Sequence, residues 1–336
     1  MNKPSILLGA SAIAAATLLP LPAGAATGER LEDGVLRQGV SFRNQLIDMA
    51  GNVYLPKGFD RARRHAAVVV VHPGGGVKEQ AAGLYAQKLA QQGFVVLAFD
   101  ASHQGASGGL PRFLEDPARR VEDVRSAIDY LTTLAWVDPN RIGALGICAG
   151  GGYAIKAATS ERRIKAVATV SMVDIGAATR RGWDGDLPLD KQVAALESVA
   201  RQRTAEASGG APAYVPYVPP TPDATTPADL REASDYYLTP RGQHPNAPNK
   251  MLHASLDKMH AFSAFDGVAS FLTQPALFIA GSKAGSQWHS QDAYRLAKGE
   301  KDLFIVDGAT HMTLYDGKEH VSQAIGRLAP FFQRSL

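Results

Sequence analysis

The chain has 336 residues, 35 Lys and Arg against 32 Asp and Glu, a formal charge of +3, and 45% hydrophobic and 20% charged residues. This is an ordinary globular balance, long enough for one large α/β domain or two small ones. So small a charge, with no dense Lys/Arg block, offers no electrostatic case for nucleic acid, and the basic run at Arg61–His65 reads as a solvated loop before a strand.

Residues 1–26 differ in kind from the rest: one lysine, an apolar run broken by Pro20 and Pro22, then small residues with Ala23 and Ala25 in an A-x-A pattern. The expectation is a signal peptide cut near Ala25 or Ala26, a periplasmic or secreted protein, and no stable membrane insertion afterwards. The chain holds one cysteine, Cys148, so no internal disulfide can form. A thiol kept in an oxidising compartment is either used or well shielded.

Residues 27–336 alternate strand-like and helix-like segments. Two early strands read as a hairpin over residues 34–56. "AAVVVVHPGGG" (66–76) is a β-branched run entering a glycine loop, followed by a helix closed at Gly93 and the strand "FVVLAFD" (94–100). Val121, Val124, Ile128 and Leu131 set the apolar spacing of a second helix. "RIGALGI", "IKAVATVSMVD" (164–174), "PALFIAGS" (275–282) and "KDLFIVDG" (301–308) continue the strands, and a helix closes the chain. The alternation predicts a mostly parallel sheet with helices on both faces. Residues 175–270 break the rhythm: they show no buried-strand signal and include a Pro-, Ala- and Thr-rich stretch at 208–228. They read as a cap-like insertion over the active-site edge, helical on either side of a mobile Pro-rich segment.

Gly146-Ile147-Cys148-Ala149-Gly150 is a G-x-C-x-G pattern between a strand and a helix, the context of a nucleophile elbow. Cys148 is therefore the expected nucleophile, with the following helix N-terminus favouring its thiolate. The N–H of Ala149 is one expected oxyanion donor. Glycines after "VVVVH" supply the other, Gly74 first and Gly75 next. Ser107 also sits in a G-x-S-x-G pattern, but no strand precedes it directly and no helix follows, so it reads as a decoy.

A thiol nucleophile needs a base, and His311, just after the last predicted strand, lies on the same sheet edge in the expected chain order. His72, His103 and His289 read as structural. The third member is open. Asp174, at the end of an earlier strand, is preferred over Asp292, and a dyad without an acid also fits. No histidine spacing argues for a metal.

"HPGGG", "GICAGGGY" and "GATH" together resemble the α/β-hydrolase superfamily and, within it, the dienelactone hydrolase-like branch that uses cysteine. The resemblance implies an α/β-hydrolase fold over most of residues 30–336. It also implies hydrolysis of an ester, lactone or thioester, with Cys148 as nucleophile, His311 as base, a small-molecule acyl substrate and no metal or cofactor. The chain departs from that pattern at two places. The branch's glutamate after the oxyanion-side strand falls near Pro73, with Glu79 farther along, and its aspartate before the histidine strand is replaced by Ala284-Gly285-Ser286. Together with the insertion, this points to a different and larger acyl group. An acyltransferase using the same thioester intermediate and a non-catalytic binding protein of this fold are the rival readings.

Overall fold

The computed structural model describes residues 28–336; the segment read as a signal peptide lies outside the described residues. One sheet is built from β1 (Gly28–Arg30), β2 (Leu36–Asn44), β3 (Ile47–Leu55), β4 (His65–Val71), β5 (Val95–Phe99), β6 (Val137–Ile147), β7 (Ile164–Val170), β10 (Ala276–Gly281) and β11 (Lys301–Val306). Its strand order is β1-β2-β3-β5-β4-β6-β7-β10-β11. The first three strands and the β3–β5 pair are antiparallel, and the rest run parallel. Two short strands, β8 (Tyr214–Val215) and β9 (Met251–Leu252), pair with each other apart from the main sheet.

Strand β4 explains how the sheet is held. Val68 and Val70 point into the apolar layer shared with α1 (Ala81–Gln91) and α11 (Lys318–Ser335). Ala67, Val69 and Val71 point into the opposite layer, with α2 (Pro117–Thr133), α3 (Ala149–Ala158) and α9 (Gln287–Leu296). All five are essentially inaccessible, which is why β4 reads as a continuous apolar run instead of an alternating one. Each buried valine contributes roughly 1.5–3 kcal/mol. Helix α2 begins where Asp116 accepts hydrogen bonds from the Ala118 and Arg119 amides and Pro117 takes the first turn. It buries the predicted Val121, Val124, Ile128 and Leu131 face.

Between β7 and β10 the chain leaves the sheet through α4 (Ile175–Arg181), α5 (Leu189–Ala207), α6 (Ala228–Leu238), α7 (Ser255–Ala261) and α8 (Val268–Phe271). Helices α5 and α6 flank the Pro-rich stretch, whose backbone is hydrogen-bonded by a side chain from farther along the chain. Asn249 Oδ1 accepts from the Tyr217 and Val218 amides at 2.9 and 3.0 Å, and Asn249 Nδ2 donates to Val218 O. Proline removes amide donors, so one side chain collecting the remaining ones is enough to order the turn.

Candidate active site

At the carboxyl end of β6, Cys148 has φ +54° and ψ −125°, a conformation that costs a non-glycine residue about 1–3 kcal/mol. The backbone around it is fixed. The Cys148 amide donates to Val170 O at 3.1 Å, and its carbonyl accepts from the Gly151 and Val173 amides at 2.9 Å each. The flanking glycines are required by close approach. A Cβ on Gly146 would lie 2.2 Å from Gly150 O, and one on Gly150 would lie 2.2 Å from Val71 O. The turn thus jams α3 against β6 and β4 and leaves the Cys148 sulfur at the sheet edge. The backbone N–H groups of Ala149 and Gly74 lie near enough to that sulfur to favour its thiolate.

His311 lies in the turn between β11 and α10 (Thr313–Asp316), and like Cys148 it lines the cavity at this edge. Its carbonyl accepts from Ser171 Oγ at 3.1 Å, and the ring is packed edge-on by Trp183 at 5.1 Å between centroids. The ring nitrogens have two partners: Nδ1 is 2.6 Å from Ser286 Oγ, and Nε2 is 3.2 Å from the Tyr315 hydroxyl. The Tyr315 hydroxyl and the Cys148 sulfur also lie near enough to shift each other's titration, so a phenol neighbours both thiol and imidazole. Sequence reasoning missed both residues. Tyr315 had a signal, its position four residues after His311.

The preferred acid does not reach the histidine. Strand β7 ends at Val170, and Asp174 is the N-cap of α4, accepting from the Gly176 and Ala177 amides at 3.0 and 3.3 Å. Asp292 sits on α9 paired with Arg295 at 2.8 Å. At the imidazole the position expected for an acid is held by Ser286, the last residue of the Ala284-Gly285-Ser286 turn. His72 is bonded at both nitrogens, to Pro73 O and the Ala101 amide, and Ser107 Oγ ties Asp100 O to the Ala50 amide. His103 Nδ1 bonds Pro111 O, and His289 Nδ1 accepts from the Asp174 amide.

Burial sets the protonation states. It pushes the Cys148 thiol above its ordinary value, against the opposing pull of Tyr315, Ala149 and Gly74. It pulls His311 down to about 3. Both shifts favour the neutral forms, thiol and imidazole, and oppose the thiolate that the helix N-terminus favours. Tyr315 is held well above the usual phenol range by burial and then by the neighbouring sulfur, so its proton stays on.

The cavity above the sulfur measures about 440 Å³ and is mainly apolar, with Val173, Ile175, Leu230, Met251, Leu256 and Met259 in its wall. Most of that wall comes from the excursion between β7 and β10, and no Lys or Arg lines it. The Tyr217 ring covers the glycine loop after β4 so closely that a Cβ on Gly75 would lie 2.5 Å from it. Its hydroxyl donates to the fully buried Glu115 at 2.7 Å, which also accepts from Tyr153 and Gln104 and faces Arg120 at 3.5 Å. Among the described residues no group of three or more His, Cys, Asp or Glu is gathered to hold a metal ion, and no helix is long and apolar enough to cross a membrane.

With this geometry in hand, known proteins give a consistent relationship. Residues 49–171 match the Dienelactone hydrolase family. The uncharacterised protein YcjY of Escherichia coli (strain K12) is 47% identical over 306 residues, covering 90% of this chain and all of YcjY. PA2218 of Pseudomonas aeruginosa is 38% identical over 303 residues, 88% of this chain and 80% of that one. Its crystal structure superposes with a TM-score of 0.84 at 35% identity over 95% of this chain and 99% of that chain. A thiohydrolase, aneE of Aspergillus aculeatus, is 30% identical over 152 residues, 45% of this chain and 47% of its own. The chain belongs to the dienelactone hydrolase family and has the α/β-hydrolase fold. It is a hydrolase of the class that acts on ester and lactone bonds.

Proposed function

We propose that the protein is an exported acyl hydrolase that cleaves an ester or thioester of a neutral, apolar acid through a Cys148–His311 acyl-enzyme mechanism. The carrying observation is that Cys148, Ala149, Gly74 and His311 line one cavity, with the Ala149 and Gly74 N–H groups near enough to the sulfur to favour its thiolate. Neutral His311 Nε2 accepts the Tyr315 proton as the Tyr315 oxygen takes the proton of Cys148, so the net transfer runs from sulfur to imidazole. The thiolate attacks the carbonyl carbon, and Ala149 and Gly74 hold the oxyanion. Collapse expels the alcohol or thiol, which recovers the proton from His311. Water, deprotonated by His311, then attacks the thioester and releases the acid and Cys148. Ser286 Oγ accepts from Nδ1–H and keeps Nε2 free to act as the base.

Two observations favour an apolar acyl group. The wall is largely aliphatic, and an anionic substrate would lose its hydration with no cation to meet it. The thiohydrolase relative supports a thioester as well as an ester. The test uses straight-chain p-nitrophenyl esters and N-acetylcysteamine thioesters. Wild type should turn over, Cys148→Ala and His311→Ala should lose roughly a thousandfold or more, and Tyr315→Phe should lose about a hundredfold. Full activity in Cys148→Ala would sink the mechanism. Products run with an added alcohol separate hydrolysis from acyl transfer, and the intact mass of secreted protein tests export through the expected cut.

A further inference from the structure

In place of a carboxylate at the end of β10, the chain has Ala284-Gly285-Ser286, with Ser286 on His311 Nδ1. A carboxylate nevertheless reaches this turn, from the first turn of α6 in the excursion. Asp229 is 5% exposed, and its Oδ2 accepts two hydrogen bonds, from the Gly285 amide at 2.7 Å and from Trp183 Nε1 at 3.0 Å. Both donors lead to the histidine. Gly285 directly precedes Ser286, and the Trp183 indole packs edge-on against the His311 ring. The fit is close, since a Cβ on Gly285 would stand 3.1 Å from Asp229 Oδ2 and 3.1 Å from Trp183 Nε1.

We propose that Asp229 is a positioning residue for His311: one carboxylate oxygen from the excursion fixes both the serine that orients the imidazole and the indole that packs against it. The proposal rests on the Cys148–His311 reading and adds to it that the insertion completes the catalytic histidine as well as shaping the acyl pocket. A single oxygen accepts both bonds, so Asn at 229 can present its carbonyl oxygen in the same place.

The test compares Asp229→Ala, Asp229→Asn and Ser286→Ala by turnover of the p-nitrophenyl ester and by ¹⁵N NMR of the His311 ring, with thermal melts as the fold control. Asp229→Ala should lower kcat about tenfold to a hundredfold with KM nearly unchanged. It should replace the Nδ1–H tautomer of His311 with a mixture, and its effect should not add to that of Ser286→Ala. Asp229→Asn should restore most of kcat and the single tautomer. A raised KM at intact kcat would mean that Asp229 binds substrate and would overturn the proposal. So would an Asn variant as impaired as the Ala variant, or an unchanged ring spectrum in Asp229→Ala. If Asp229→Ala does not fold, Trp183→Phe, which removes one of the two donors, must show a smaller loss of kcat with the same loss of tautomer purity. If wild type is inactive or indifferent to His311→Ala, the Cys–His reading fails, and the NMR arm still reports whether Asp229 orders the ring.

Discussion

Cys148 and His311 sit at the ends of two strands of one sheet, and they are held in different ways. Around Cys148 the backbone holds itself: Val170, Gly151 and Val173 bond its amide and carbonyl, and Gly146 and Gly150 allow the close approach. Around His311 the ring is held by side chains, Ser286 and Trp183 from distant segments and Tyr315 from one turn along, while Ser171 holds its carbonyl. A local device can be read from a few adjacent residues. An assembled one becomes visible only when the fold brings its parts together.

The elbow is where a small change should do most harm. Gly150→Ala drives a methyl onto Val71 O, and a backbone atom cannot step aside as a side chain can. We expect a loss of at least about 3 kcal/mol in urea unfolding, together with loss of turnover. A variant of wild-type stability would mean that the elbow is less tightly jammed than the distances say. At the histidine turn, Ser286→Ala should leave the fold intact and cost about tenfold to a hundredfold in kcat, since it removes orientation and leaves the base in place. An unaffected kcat would show that packing alone sets the ring.

Acid should destabilise the protein through its buried histidines. Burial holds both His289 and His311 down to about 3 in the folded state, so unfolding lets them bind protons at the ordinary histidine value. In that window the unfolded chain binds more protons than the native one, and stability falls as pH drops from about 6.5 toward 3. Each such histidine adds about 1.4 kcal/mol per pH unit to the slope. Melts of His289→Gln should therefore fall less steeply with acid than wild type; parallel curves would show that His289 already charges in the native state. The smallest effect separates a helix cap from a triad acid. Asp174→Ala should cost about 1 kcal/mol in stability and nothing in kcat.

The same contrast explains what could be read beforehand. The β-branched run of β4, the apolar spacing of α2 and the glycines at 146 and 150 are each written in a few adjacent residues, and each was legible even where, as at Gly150, the atom approached is Val71 O on another strand. The third member of the histidine site was not. Asp174 stands just beyond a strand and before a helix, a position that suits a catalytic acid and an N-cap equally, and only the contacts of its carboxylate distinguish them. Ser286 was passed over because the search there was for a negative charge. Glu115, bonded to two tyrosine hydroxyls, is buried by residues as far as position 217, which no local pattern connects to it.

The state of the resting thiol carries a consequence of its own. Peroxides oxidise the thiolate, and its first product, a sulfenic acid, is soon lost to higher oxides when no second thiol can form a disulfide with it. This chain has no second cysteine to rescue the first. Cys148 is half-buried in the cavity, and burial that raises its thiol above the ordinary value leaves such oxidants less thiolate than a free cysteine offers. The burial that holds back the thiolate also protects the sulfur.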